Sequence, residues 1–177
     1  MSIRLCSLMI LYVCILALKP VLAMTTTDSL QACADLDPLL SLQDPTAEQL
    51  IRRGELRIQC SQDYEGALMD AQNALAMEPM ERTRRLLDEN PESTTSSLAI
   101  YESALKLGFN SARRLGMDDE ALQHGRIYLE LEPKDYKTRW EVMISSMNVG
   151  DWVSAKGDAL VLISVPGGAH YENYLVL

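Results

Sequence analysis

The residues able to do chemistry in this chain are few and far apart. Histidine occurs only at His124 and His170, and cysteine only at Cys6, Cys14, Cys33 and Cys60. General base catalysis needs an imidazole or carboxylate within hydrogen-bond reach of a nucleophile, and a metal needs three or four converging ligands. No Cys-x-x-Cys, His-x-x-x-His, Gly-x-Ser-x-Gly or glycine-rich phosphate loop occurs. His124 falls in a predicted helix, where a surface or edge position is expected. Asp118, Asp119 and Glu120 open that helix, where carboxylates interact favourably with the helix dipole. Capping accounts for them without catalysis, so no enzyme, metal site or cofactor is expected.

The two later cysteines depend on where the chain resides. Arg4, an apolar run from Leu8 to Leu18, and Val21-Leu22-Ala23 form the three parts of a secretory signal peptide. The run is too short to span a membrane, which takes roughly 20 apolar residues. Residues 1–23 are therefore expected to be cleaved, leaving no stable membrane span and removing Cys6 and Cys14. Cys33 and Cys60 would then meet an oxidising compartment. There they either close a disulfide loop, typically worth about 2 to 4 kcal/mol, or remain small buried hydrophobes. The destination is periplasmic or secreted, or the ER lumen or exterior in a eukaryote. The lack of an Asn-x-Ser/Thr sequon tilts it towards a bacterial envelope.

Charge narrows the partners. The chain has 177 residues, 16 Lys plus Arg and 25 Asp plus Glu, a net of −9. Removal of Arg4 and Lys19 with the signal leaves 14 − 25 = −11 on 154 residues. That field repels phosphate backbones and anionic headgroups, so nucleic acid is excluded as a partner.

The elements that must position any site are helical and repeat. Ala121 and Ala155 are 34 apart, as are Gly116 and Gly150, while Ala67 to Ala121 and Pro79 to Pro133 are both separated by 54. Thirty-four is one helical-hairpin period, and 54 is that period plus an insertion of about 20 residues. Helix starts are marked at Asp44-Pro45 or at Thr46 with Gln49. From Asp63 the residues Tyr64, Ala67, Leu68, Ala71, Ala74 and Leu75 recur at helical spacing, and Pro79 ends the stripe. Further helices are expected over about 80–90, 97–115, 118–132, 136–147 and 152–164. The β-branched content of Leu160 to Val165 makes the last the weakest helical pattern.

Asp63 to Pro79 closely resembles the second helix of a tetratricopeptide repeat, and Asp118 to Pro133 and Gly150 to Leu162 resemble it less fully. The resemblance covers about 46–165. Gly125 departs from it, standing where a large residue is usual, and so does Tyr128, standing where a small one is. It implies an all-α helix-turn-helix solenoid of about three repeats, at about 46–81, 102–135 and 136–165, with an insertion at about 82–101. Residues 24–45 would cap the array and 166–177 would form a tail, apolar at Tyr171, Tyr174 and Leu175 to Leu177.

The resemblance also implies a site. First helices of such arrays line a concave face, and the family's groove positions fall here on Arg52, Leu56, Lys106, Asn110, Trp140 and Ile144. Lys106 with Asn110 resembles half of a carboxylate clamp, although Leu56 and Glu141 do not fit the other half. A groove carrying Arg52, Lys106, Asn110, Arg113 and Lys137, with Trp140 and Met147 as apolar anchors, would hold a protein or peptide partner. The expected function is an interaction scaffold, adaptor or assembly factor of the envelope or secretory pathway. The alternative is a structural accessory subunit that forms a homo-oligomer through its tail.

Overall fold

The computed structural model describes residues 33–77, 79 and 94–165. The signal segment, the charged helix at about 80–90 and the tail lie outside them. The described residues fall in two units divided after Leu42. The first holds the short helix α1 (Leu36–Leu40), and the second holds α2 (Ala47–Ser61), α3 (Tyr64–Met77), α4 (Thr94–Arg114), α5 (Asp118–Leu131), α6 (Tyr136–Asn148) and α7 (Trp152–Ser164). Among the described residues every regular element is helical.

Local chemistry fixes the helix ends. Of the two starts open in the sequence, Thr46 caps α2: its hydroxyl accepts from Gln49 N at 3.3 Å, and Thr46 N donates back to Gln49 Oε1 at 2.8 Å. Asp63 Oδ1 accepts from Gly66 N at 2.9 Å at the start of α3. Asp135 and Asp151 cap α6 and α7 through Thr138 N and Ser154 N, at 3.0 and 3.1 Å. The paired glycines of the sequence share one task. Gly116 (φ 73°) and Gly150 (φ 82°) take the left-handed conformation that ends α4 and α6. After each, the next amide returns to the helix, Met117 N to Ala112 O at 2.9 Å and Asp151 N to Ser146 O at 2.8 Å.

In the second unit each helix packs on the next, and α2 also packs on α4. The small positions singled out in the sequence are the close approaches: Ala67 and Ala121 are 0% exposed and Ala155 4%. Leu68, Tyr101, Leu105, Phe109, Ala121, Tyr128 and Val142 form the central core. Each large apolar side chain buried there contributes about 1.5 to 3 kcal/mol.

One sequence expectation needs correction and one holds. The helix expected from Ser97 begins at Thr94, inside the 82–101 insertion. The doubtful last helix is regular to Ser164, because Val153, Val161 and Ile163 point outward while Ala155, Asp158, Ala159 and Leu162 face α6.

Candidate partner-binding groove

Three concavities join end to end across α2, α4 and α6. The first, about 280 Å³, is lined by Glu48, Ile51, Arg52, Glu55, Ile100 and Ser103. The second, about 300 Å³, shares Glu55 and Ser103 with it and adds Ile58, Lys106, Leu107 and Asn110. The third, about 460 Å³, shares Ile58, Lys106 and Asn110 with the second and continues to Arg113, Arg114, Asp135, Lys137 and Glu141. The result is a groove that runs along α2 and α4 and opens between α4 and α6.

The sequence-derived residues divide between this groove and the core. Lys106, Asn110, Arg113 and Lys137 meet in the third concavity, and Arg52 lines the first. Trp140 and Met147 pack with Ile144 against Met143, Ala155, Ala159 and Leu162, so they serve the α6–α7 core rather than line the groove. Leu56, a groove position by family register, is fully buried. Arg114 and Asp135 were missed. Arg114 follows Arg113 outside the register used to find groove positions, and Asp135 reads in the sequence only as turn chemistry.

Asp135 organises the third concavity. Its Oδ2 accepts from Lys106 Nζ at 2.9 Å, Tyr128 OH at 2.9 Å and Thr138 Oγ1 at 2.9 Å, while Oδ1 caps α6. Partial burial pushes the Asp135 carboxyl up, but these donors overcome it and hold the group well below the ordinary carboxylate range. Hydrogen bonds to Tyr128 and Asp135 push the Lys106 ammonium above the ordinary lysine range. Here the two departures from the family pattern acquire a cause. Tyr128 fills the small position because its hydroxyl completes this network. Gly125 is small because Val142 and Phe109 fill its place: a β-carbon there would lie 2.6 Å from Val142 Cγ2 and 2.8 Å from Phe109 Cδ2.

The other groove cations differ in their freedom. Arg113 pairs with Glu141 at 2.8 Å, and Arg52 with Glu55 at 3.7 Å. Arg114 and Lys137 are exposed and have no ion pair or side-chain hydrogen bond among the described residues.

Of the surface and edge positions expected, the structure gives His124 a half-buried edge position. Its side chain is 12% exposed, it faces Gly108 of α4, and its Nε2 has no hydrogen-bond partner. Burial pushes its pKa down, and Glu120 pulls weakly the other way. Cys33 and Cys60 are each disulfide-bonded. Among the described residues no helix is long and apolar enough to cross a membrane, and no group of three or more His, Cys, Asp or Glu could hold a metal.

No protein-family model matches the chain, and no curated protein matches it.

Proposed function

We propose that this chain is an exported, tetratricopeptide-like adaptor or assembly factor that holds a segment of another protein in the groove across α2, α4 and α6. The observation that carries the reading is the continuity of that groove. Three concavities share lining residues, and the last brings Lys106 and Lys137 together from helices 31 positions apart in sequence. Consecutive helix packing, the matching closures at Gly116 and Gly150 and the buried alanines support the repeat part of the reading.

The test uses the chain from residue 24 as bait in an extract of its own compartment, beside an Asn110→Trp variant. Asn110 is exposed and lines both the second and third concavities, so tryptophan there fills the groove and leaves the core alone. Loss of a captured partner in the folded variant supports the groove. Equal capture by both proteins sinks it.

A second reading, the self-associating accessory subunit, draws on α7. Val153 is 86% exposed, and Trp152 and Leu160 are each 55% exposed. An outward face this apolar suits association. Under that reading the solution mass is a defined oligomer that Val153→Glu with Leu160→Glu reduces to a monomer. A wild-type monomer at all concentrations discards it.

A further inference from the structure

We infer that the segment held in the groove is a peptide stretch of adjacent aspartate or glutamate side chains, read by Arg114 and Lys137 at the α4–α6 end. This inference rests on the groove reading above and gives it a ligand chemistry.

The charge of the groove is graded along its length. The first concavity has Glu48 and Glu55 against Arg52 alone, a surplus of one negative charge. The third has Lys106, Arg113, Arg114 and Lys137 against Asp135 and Glu141, a surplus of two positive charges. That surplus stands on a chain whose net charge is −9. A low-dielectric concavity lined by one sign of charge focuses the field and raises the local concentration of the opposite sign.

The four cations are not equivalent. Lys106 is held by Asp135 and Tyr128, and Arg113 by Glu141, so their charge is already answered inside the fold. Among the described residues Arg114 and Lys137 are the unanswered pair. They approach from different helices, Arg114 in the last turn of α4 and Lys137 in the first turn of α6. A lysine at a helix start is set against the positive end of the dipole, and an incoming carboxylate relieves that opposition. Arg114 offers a planar fork for a bidentate carboxylate, and Lys137 a point charge. Two separated cations fit two neighbouring acidic side chains better than one terminal carboxylate. Beyond them, Ile58 and Leu107 line the middle concavity, so apolar residues should follow the acidic stretch.

The experiment uses three nonapeptide pools with the chain from residue 24. One is amidated at its C-terminus, with adjacent Asp or Glu followed by apolar residues. The second replaces those acids by Asn or Gln and is also amidated. The third has the neutral sequence with a free C-terminal carboxylate. The acidic pool should bind at least about tenfold more tightly than the others and weaken as salt screens the contact. Arg114→Gln and Lys137→Gln should each remove most of that preference with little change in melting temperature, because among the described residues neither side chain has an ion pair or side-chain hydrogen bond. Equal binding of the acidic and neutral pools, both lost in Asn110→Trp, overturns the acidic ligand while the groove stands. Preference for the free-carboxylate pool overturns it in favour of chain-end recognition. Binding of no pool, or binding indifferent to Asn110→Trp, overturns both the ligand and the groove.

Discussion

Asp70 and Asp158 stand three residues after Ala67 and Ala155, and each is a buried carboxylate gripped by two arginines. Asp70 on α3 takes Arg53 at 2.5 Å and Arg57 at 3.1 Å, both from α2. Asp158 on α7 takes Arg139 of α6 at 2.9 Å and Arg126 of α5 at 3.2 Å. The same position thus locks the first and the last helix pair of the second unit. Removing one partner of a buried ion pair leaves the other charge uncompensated, at a cost of about 3 kcal/mol or more. Asp70→Asn should therefore lower the urea midpoint sharply at neutral pH. Adding Arg53→Met should recover part of the loss, and an unchanged midpoint for the single variant would refute the lock.

The middle pair has His124 at that position, three residues after Ala121. Among the described residues no arginine pairs with it. Gly108 of α4 faces its ring, and Glu120, which accepts from Gln72 of α3, has a carboxylate oxygen 4.0 Å from Nε2. Burial lowers the folded-state pKa below the ordinary histidine value of 6.5. The sign follows: the unfolded chain binds the proton more tightly, so stability is full above pH 6.5 and falls as pH drops through that value. Denaturation at a series of pH values between about 7.5 and 5.5 should show this decline, and His124→Gln should flatten it. A wild-type curve that is level across the window removes His124 as the cause.

Asp135 serves stability and the groove together. Its folded-state pKa lies below 3.8 and that of Lys106 above 10.5. Their contribution is therefore present between those values, lost as pH falls below the first, and lost as it rises above the second. Asp135→Asn keeps an N-cap but removes the charge. Because Lys106 is half exposed, the cost should be only about 1 kcal/mol after solvent screening. The same change frees Lys106 and adds positive charge to the groove, so acidic peptides should bind more tightly to a less stable protein. Weaker or unchanged peptide binding in calorimetry would count against an electrostatic groove.

Periodicity in the sequence reaches the helices, their order and their turns, because Gly116, Gly150, Thr46 and the buried alanines act through local backbone geometry. Charge partners were less legible. Lys106 and Asp135 are 29 positions apart, and only the packing of α4 and α6 on α5 brings them together. Trp140 and Met147 looked like groove anchors because register places them on a first helix. The face they occupy instead closes on α7, an outcome decided by neighbouring volumes rather than by period. Arg114 escaped notice because a last-turn arginine already has a local explanation in the helix dipole.

Cys33 and Cys60 are both disulfide-bonded, and the other two cysteines of the chain, Cys6 and Cys14, fall in the segment that the sequence reads as a signal. A bridge between them, one of the two alternatives the sequence leaves open, would close a loop of 28 residues, Cys33 to Cys60 inclusive. If they pair with each other, non-reducing peptide mapping of the chain from residue 24 should recover one cross-linked fragment holding both. Reduction should lower the unfolding midpoint by the equivalent of about 2 to 4 kcal/mol. Two freely alkylated thiols would dismiss the bridge.

Gly125 and Gly157 predict opposite responses to one added methyl group. Both lie inside helices, where alanine is intrinsically better than glycine by about 0.5 to 1 kcal/mol. At Gly157 nothing lies within 4 Å of the new β-carbon, so that propensity gain should appear in full as a higher melting temperature. At Gly125 the new carbon meets Val142 Cγ2 at 2.6 Å and Phe109 Cδ2 at 2.8 Å, both on fully buried side chains. Neither can withdraw without disturbing the central core, and overpacking of this kind costs about 1 to 3 kcal/mol. The clash exceeds the propensity, so Gly125→Ala should melt lower than wild type. Because α5 carries Tyr128 to Lys106 and Asp135, the shift should reach the groove as weaker peptide binding. If Gly125→Ala melts as high as Gly157→Ala, the close approach of α4, α5 and α6 described here is wrong.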